Sequence, residues 1–239
     1  MKHAWAGLVA LGLVALASPA AQAQSAGGLP TRGSVVFGAE RMFGVYSYKG
    51  TVERDNYKYT QSGTQFSLLW GANGTSGTID DNFDAVPRIA FDFFITDGLT
   101  AGGAVGYYTA SGEQKTEEPG HPTRSDDLHD LTAFAFAPRV GYMVPLGSHA
   151  GFWPRGGLAY FNGTDQRPNN DKTTASSWQL SLEGMFFLAP VEHFGIVLGP
   201  VIDYPLTGTL RQRNNNSSLP DEDLRWRSLG VAVGIAGYL

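Results

Sequence analysis

The chain contains no cysteine. Disulfides and thiolate metal sites are therefore excluded, and an exported protein of this sequence must be held by hydrogen bonding and packing alone. Charge is scarce too, at 16% of 239 residues, low for a soluble protein of this size. No segment beyond the first turns of the chain has the roughly 20 apolar residues that a membrane-spanning helix needs. If the chain lives in a membrane, a closed β-barrel is the remaining way to satisfy its backbone. The G-x-S-x-G elbow of serine hydrolases is also missing. Glycine, at 31 residues, and aromatics, at 12%, are plentiful.

The first residues read as an export signal. Met1-Lys2-His3 is a short basic start, Ala4 to Ala17 is uncharged, and Ala21-Gln22-Ala23 offers small residues to a signal peptidase. This predicts a signal peptide over 1–23, a flexible Gly/Pro-containing tether over 24–33, and one domain over 34–239. Without Lys2, 16 Lys and Arg oppose 22 Asp and Glu, a net charge of −6 for the processed chain. That acidity argues against a nucleic-acid partner, which selects basic faces.

From Ser34 onward the pattern becomes period-two segments of about ten residues, the length of a tilted strand crossing a bilayer. The clearest are Val86–Ile95, Leu99–Ala110, Leu131–Val144, Gly151–Phe161, Ser177–Leu188, Phe194–Tyr204 and Arg225–Leu239. Thr64–Trp70 is shorter and Ser34–Tyr48 is irregular. Short turns at Thr96–Gly98, Gly147–Ala150 and Pro190–His193 alternate with long polar runs at Ser111–Asp130, Asn162–Ser176 and Thr207–Leu224. Outer-membrane barrels sort short periplasmic turns from long external loops in this way. Bulky apolar residues occupy one face of each segment: Ile89, Phe91 and Phe93; Phe134, Phe136 and Val140; Leu180 and Leu182; Leu229, Val231 and Val233. The other face holds small residues and a few charges, as in a narrow lumen. Tyrosine and tryptophan gather near segment ends, where bilayer interfaces would hold them. The expectation is an all-β, up-and-down antiparallel transmembrane barrel of eight strands, with ten as the alternative. Pro138, Pro154 and Pro200 fall inside strands and are expected to mark bulges or strand entry points.

From Val86 to the end, the segments VPRIAFDFFITDGLTAGGAVGYY, FAPRVGYMVPLGSHAGFWPRGGLAYF, VEHFGIVLGP and the closing SLGVAVGIAGYL resemble a small outer-membrane barrel family of myxobacteria and related proteobacteria. More broadly the chain resembles the superfamily of OmpX- and OmpA-like barrels. The resemblance implies a structural barrel and no catalytic residues. It also implies handling by the barrel-assembly machinery, for which Leu239 rather than an aromatic residue takes the last position, with Tyr238 adjacent.

The alternation assigns Arg88, Asp92, Arg139, Arg155, Glu183 and Asp203 to the lumen, three charges of each sign. Ionised groups in so narrow a space need partners, because desolvating an unpaired charge costs several kcal/mol. They are expected either to fill the lumen as ion pairs or to line a narrow ion pathway. A loop set, His121, Asp126, Asp127, His129 and Asp130, offers imidazole and carboxylate donors but no fixed ligand geometry. No histidine sits at a strand position beside a serine, so no nucleophile–base pair is read and no cofactor is implied. The functional expectation is a structural or surface-interaction protein of the outer membrane that contacts lipid and lipopolysaccharide, with its external partner unknown. A narrow channel, a lipid-directed enzyme and a secreted soluble β-protein are the alternatives.

Overall fold

The computed structural model describes residues 28–54, 57–68, 87–111, 113–116, 124–127, 130–167, 171–214 and 217–239. The export signal at 1–23, the start of the tether, His121 and His129 lie outside them. Among the described residues thirteen strands are formed in chain order: β1 (Val35–Arg54), β2 (Tyr57–Leu68), β3 (Arg88–Phe94), β4 (Leu99–Ala110), β5 (Glu113–Thr116), β6 (Arg124–Asp127), β7 (Asp130–Tyr142), β8 (Val144–Pro145), β9 (Ala150–Gln166), β10 (Lys172–Val191), β11 (Phe194–Asn214), β12 (Ser217–Ser218) and β13 (Glu222–Tyr238). Eight of them close a ring, β1-β3-β4-β7-β9-β10-β11-β13 and back to β1, with every neighbour antiparallel. A closed antiparallel ring with a bulky apolar exterior is a transmembrane barrel of the bacterial outer-membrane type.

Eight rather than ten strands result because β2 and β3 share one place in the wall, both lying beside β1. The irregular Ser34–Tyr48 stretch belongs to β1. Its lower part, Val35–Glu40, pairs with β3, and its upper part, Phe43–Arg54, pairs with β2. The segment around Thr64 therefore continues the line of β3 instead of adding a strand to the ring.

The exterior carries the bulky residues read from the alternation. Ile89, Phe91, Phe136, Val140, Leu182, Leu229 and Val231 are exposed, whereas their neighbours Ala90, Asp92, Ala135, Ala137, Arg139, Glu183 and Ala232 are buried. Eight to ten consecutive residues of each strand, rising about 3.3 Å each at a tilt of about 40°, make an apolar band roughly 20–25 Å tall. Trp178 packs on Tyr160 across the β9–β10 ladder, ring centroids 5.0 Å apart, near its upper edge. Tyr107 and Tyr204 are exposed toward the same end.

The prolines fall where a ladder skips. The β7–β9 register passes from Phe136–Tyr160 to Arg139–Gly157, omitting Pro138, and later from Gly141–Arg155 to Val144–Phe152, omitting Pro154. The β10–β11 register passes from Glu183–Val201 to Phe186–Leu198, omitting Pro200. Each missing donor thus coincides with an interruption toward one neighbour, while the other ladder continues.

Two expectations are corrected. The polar runs Asn162–Ser176 and Thr207–Leu224 are mostly strand, not loop: β9 and β10 stay paired up to Gln166–Lys172, and β11 reaches Asn214. Their outward threonines, such as Thr164 opposite Thr174, suit a β-ladder in water, while Asp165, Ala175 and Leu210 stay buried inside, so pairing continues past the apolar band. The second correction concerns Gly28–Gly33, read as part of a flexible tether. Leu29 packs against the lower lumen, Pro30 is buried, the Gly33 amide donates to the Phe94 carbonyl (2.9 Å), and the Tyr238 hydroxyl donates to the Gly28 carbonyl.

Candidate functional site: a charged layer inside the barrel

The interior is built in three layers. At the end with the short turns, where Val35 and Leu239 also lie, Phe94, Met143, Trp153, Phe187, Val197 and Tyr238 form an apolar layer. At the other end Phe161, Leu210, Leu224 and Trp226 form a second one, with Tyr48 stacked on Trp226 at 4.9 Å. Between them lie four arginines (Arg41, Arg88, Arg139, Arg155) and four carboxylates (Glu40, Asp92, Glu183, Asp203), all buried.

All six lumen residues named from the sequence are placed in this layer. Glu40 and Arg41 join them and were not read from the sequence. They enter through a bulge: Ala39 faces Ile235 and Phe43 faces Val233, so four steps along β1 match two along β13. Arg41 takes φ 55°, a left-handed conformation that a long side chain seldom adopts. The bulge turns two consecutive side chains inward, which a regular strand cannot do. The signal for it was a Glu-Arg pair in the middle of an otherwise apolar alternating stretch.

The geometry divides into two linked knots. In the first, Arg139 grips Glu40 with both terminal nitrogens (Nη1 to Oε2, 2.6 Å; Nη2 to Oε1, 2.9 Å) while its Nε donates to Asp92 Oδ1 at 3.1 Å. Arg155 Nη1 adds a bond to Glu40 Oε1 at 2.6 Å. In the second, Arg41 forks onto Asp203 (2.6 and 3.1 Å), which also accepts Ser181 Oγ at 2.6 Å and Ser228 Oγ at 3.3 Å. Four donors fill the acceptor sites of that carboxylate. Glu183 ties the knots together, meeting Arg155 at 2.7 Å and Arg139 and Arg41 at 3.4 Å. The Arg155–Glu183 contact is an ion pair whose angle falls short of a hydrogen bond. Arg155 also lies over the Trp153 ring, 4.6 Å from its centroid.

Glycine makes the room. Arg139 has Gly102 opposite it on β4 and Gly157 on β9. A Cβ at Gly102 would meet Asp92 Oδ1 at 2.7 Å, and one at Gly157 would meet Arg139 Cα at 2.7 Å. The cavity bordered by Arg139, Arg155, Ser181 and Glu183 measures about 10 Å³, at the lower limit for one water.

Of the loop set, His121 and His129 lie outside the described residues. Asp126 and Asp127 lie in β6, paired through the backbone with Gln114 and Glu113, and Asp130 opens β7 exposed. Among the described residues no group of three or more His, Asp or Glu side chains is placed to hold a metal ion. Ser148 Oγ lies 2.7 Å from His149 Nδ1 in an exposed turn. The two are chain neighbours, and no carboxylate is bonded to the imidazole among the described residues, so a catalytic triad is not formed there.

No family model and no curated protein matches the sequence. Several solved structures are similar in fold. The outer membrane protein OprG of Pseudomonas aeruginosa aligns over 87% of this chain and 97% of its own, at 10% identity and TM-score 0.48. Neisserial surface protein A aligns over 86% and 99%, at 12% identity and TM-score 0.48. The outer membrane protease OmpT of Escherichia coli aligns over 88% and 99%, at 9% identity and TM-score 0.43.

Proposed function

We propose that this chain is an outer-membrane barrel with a structural and surface-interaction role, not a conduit and not an enzyme. The observation that carries the reading is the closed interior. An ion crossing the lumen would meet an apolar layer, an eight-charge layer knit together by ion pairs, and a second apolar layer. A conducting filter needs sites that an ion can enter and leave. Here the carboxylates are already taken by guanidinium groups. A rigid, filled core leaves the tall outer ladders of β1–β2, β9–β10 and β11–β13 as the surfaces that can meet a partner. We further propose, from the sequence segments that resemble it, that the chain belongs with the small myxobacterial-type barrels, and that it is inserted by the barrel-assembly machinery and sits among lipopolysaccharide.

Single-channel recording in a planar bilayer tests the reading. The refolded barrel, verified by heat-modifiable gel migration, is expected to be electrically silent. Discrete conductance steps would overturn the filled-lumen role in favour of a narrow channel.

A further inference from the structure

The outer surface of the β1–β13 ladder changes chemistry with height. Reading up the outward-facing pairs, Val45 faces Val231, Ser47 faces Leu229, Lys49 faces Arg227, Thr51 faces Arg225, and Glu53 faces Asp223. The first two rungs belong to the apolar band. The next two place three cations, all exposed, immediately above it. Each rung is two residues, about 5 Å up a strand tilted by about 40°.

A Lys directly opposite an Arg is unfavourable on a sheet unless something neutralises the pair. Lys49, Arg225 and Arg227 have no ion-pair partner among the described residues. The nearest acids of the ladder, Glu53 and Asp223, occupy the rung beyond. Glu53 is engaged by Lys58 at 3.8 Å, and Glu222 by Arg54 at 3.6 Å. Beside the cations, β2 offers the hydroxyls of Ser62, opposite Lys49, and Thr60, opposite Thr51. On the β11 side Tyr204, one residue beyond the Asp203–Ser228 pair, is exposed.

We propose that this patch is a binding site for the phosphorylated headgroup of an outer-leaflet glycolipid, with acyl chains against Val45, Val231 and Leu229 and the phosphates on Lys49, Arg225 and Arg227. The depth decides the occupant. The cations sit where apolar exterior gives way to polar exterior, which is the level of lipid phosphates and not of a soluble ligand above the membrane. The proposal rests on the outer-membrane reading and gives it a specific lipid contact.

The test uses the full barrel refolded in zwitterionic detergent and fluorescent bisphosphorylated lipid A as probe. Wild-type protein is expected to bind it more tightly than the dephosphorylated form, and less tightly as salt rises. The triple variant Lys49→Ser, Arg225→Gln, Arg227→Gln is expected to lose about a hundredfold in affinity, from about fivefold per basic residue at an anionic surface. A control that removes three other exposed cations (Arg167→Gln, Lys172→Gln, Arg213→Gln) is expected to bind as wild type. Equal binding by the triple variant, or equal loss in the control, would overturn the proposal. Where the triple variant loses its heat-modifiable migration, Arg227→Gln alone is measured, with a fivefold loss expected and no loss overturning the site. Failure of the outer-membrane reading itself looks different: wild-type protein would then show no heat-modifiable migration.

Discussion

Two sets of ion pairs in this barrel share the same chemistry and differ in almost everything else. Inside, Arg139 and Arg41 hold Glu40, Asp92 and Asp203 with bidentate or multiple short bonds in a nearly water-free layer. Outside, Arg211 forks onto Asp221 at 2.9 and 2.7 Å, in geometry as good, on a hairpin surrounded by solvent. Water competes for the outer pair and salt screens it, so such pairs contribute little. The inner set has already lost its hydration, and each member depends on the others. The comparison shows that bond length does not rank these contacts; burial does.

The sharpest break of the comparison removes one inner partner. Arg139→Leu leaves Glu40 and Asp92 desolvated with fewer counter-charges, and is expected to destabilise the barrel by about 3–5 kcal/mol. Urea titration of the heat-modifiable band in lipid vesicles checks this, and a loss below about 1 kcal/mol would mean the layer is wetter than its burial indicates. Next in size is a charge placed on the outside of the apolar band. Val233→Asp is expected to cost up to about 2–3 kcal/mol, depending on depth, and to lower membrane yield; normal yield would contradict the outward placement of that face. Excising residues 113–127, the β5–β6 hairpin, is expected to leave heat-modifiable migration intact, because that hairpin pairs only with itself among the described strands. Loss of the folded form would show the hairpin supports the wall.

The smallest effect belongs to the outer pair. The hydrogen bond and charge of Arg211 lower the Asp221 carboxyl below its ordinary value of 3.8. A lowered folded-state value means that the contribution is complete above the unfolded value and disappears as pH falls through the folded one. Arg211→Ala is expected to return the Asp221 titration, followed by NMR, toward the ordinary value with no measurable change in unfolding. A large loss of stability from that variant would erase the contrast between the two sets.

Much of the charged layer was legible because alternation is strict in a wall with lipid on one side. Once Phe134, Phe136 and Val140 face outward, Arg139 must face inward, since a one-residue slip would move every side chain to the wrong face. Glu40 and Arg41 escaped that logic. At a bulge two consecutive residues point the same way, so period two has nothing to say there. The outer ladders were misread as loops for a related reason. Thr164 and Thr174 are polar and outward, Asp165 is polar and inward, and without a continuous apolar side the period-two signal fades even where the backbone pairs as β-sheet.

The sequence by itself determined the antiparallel barrel class, which face of each clear segment meets lipid, and the end at which the short turns lie. It did so because the bilayer imposes one local rule on every strand. Only the tertiary structure decided that Thr64 and Arg88 lie on one line beside β1, that a bulge brings Glu40 to Arg139 and Arg41 to Asp203, and that Lys49 stands opposite Arg227. Those outcomes depend on register between strands up to 202 residues apart, from Val36 facing Tyr238 on one ladder to Leu188 facing Ala150 on another. Register is set when the ring closes, and no local pattern carries it.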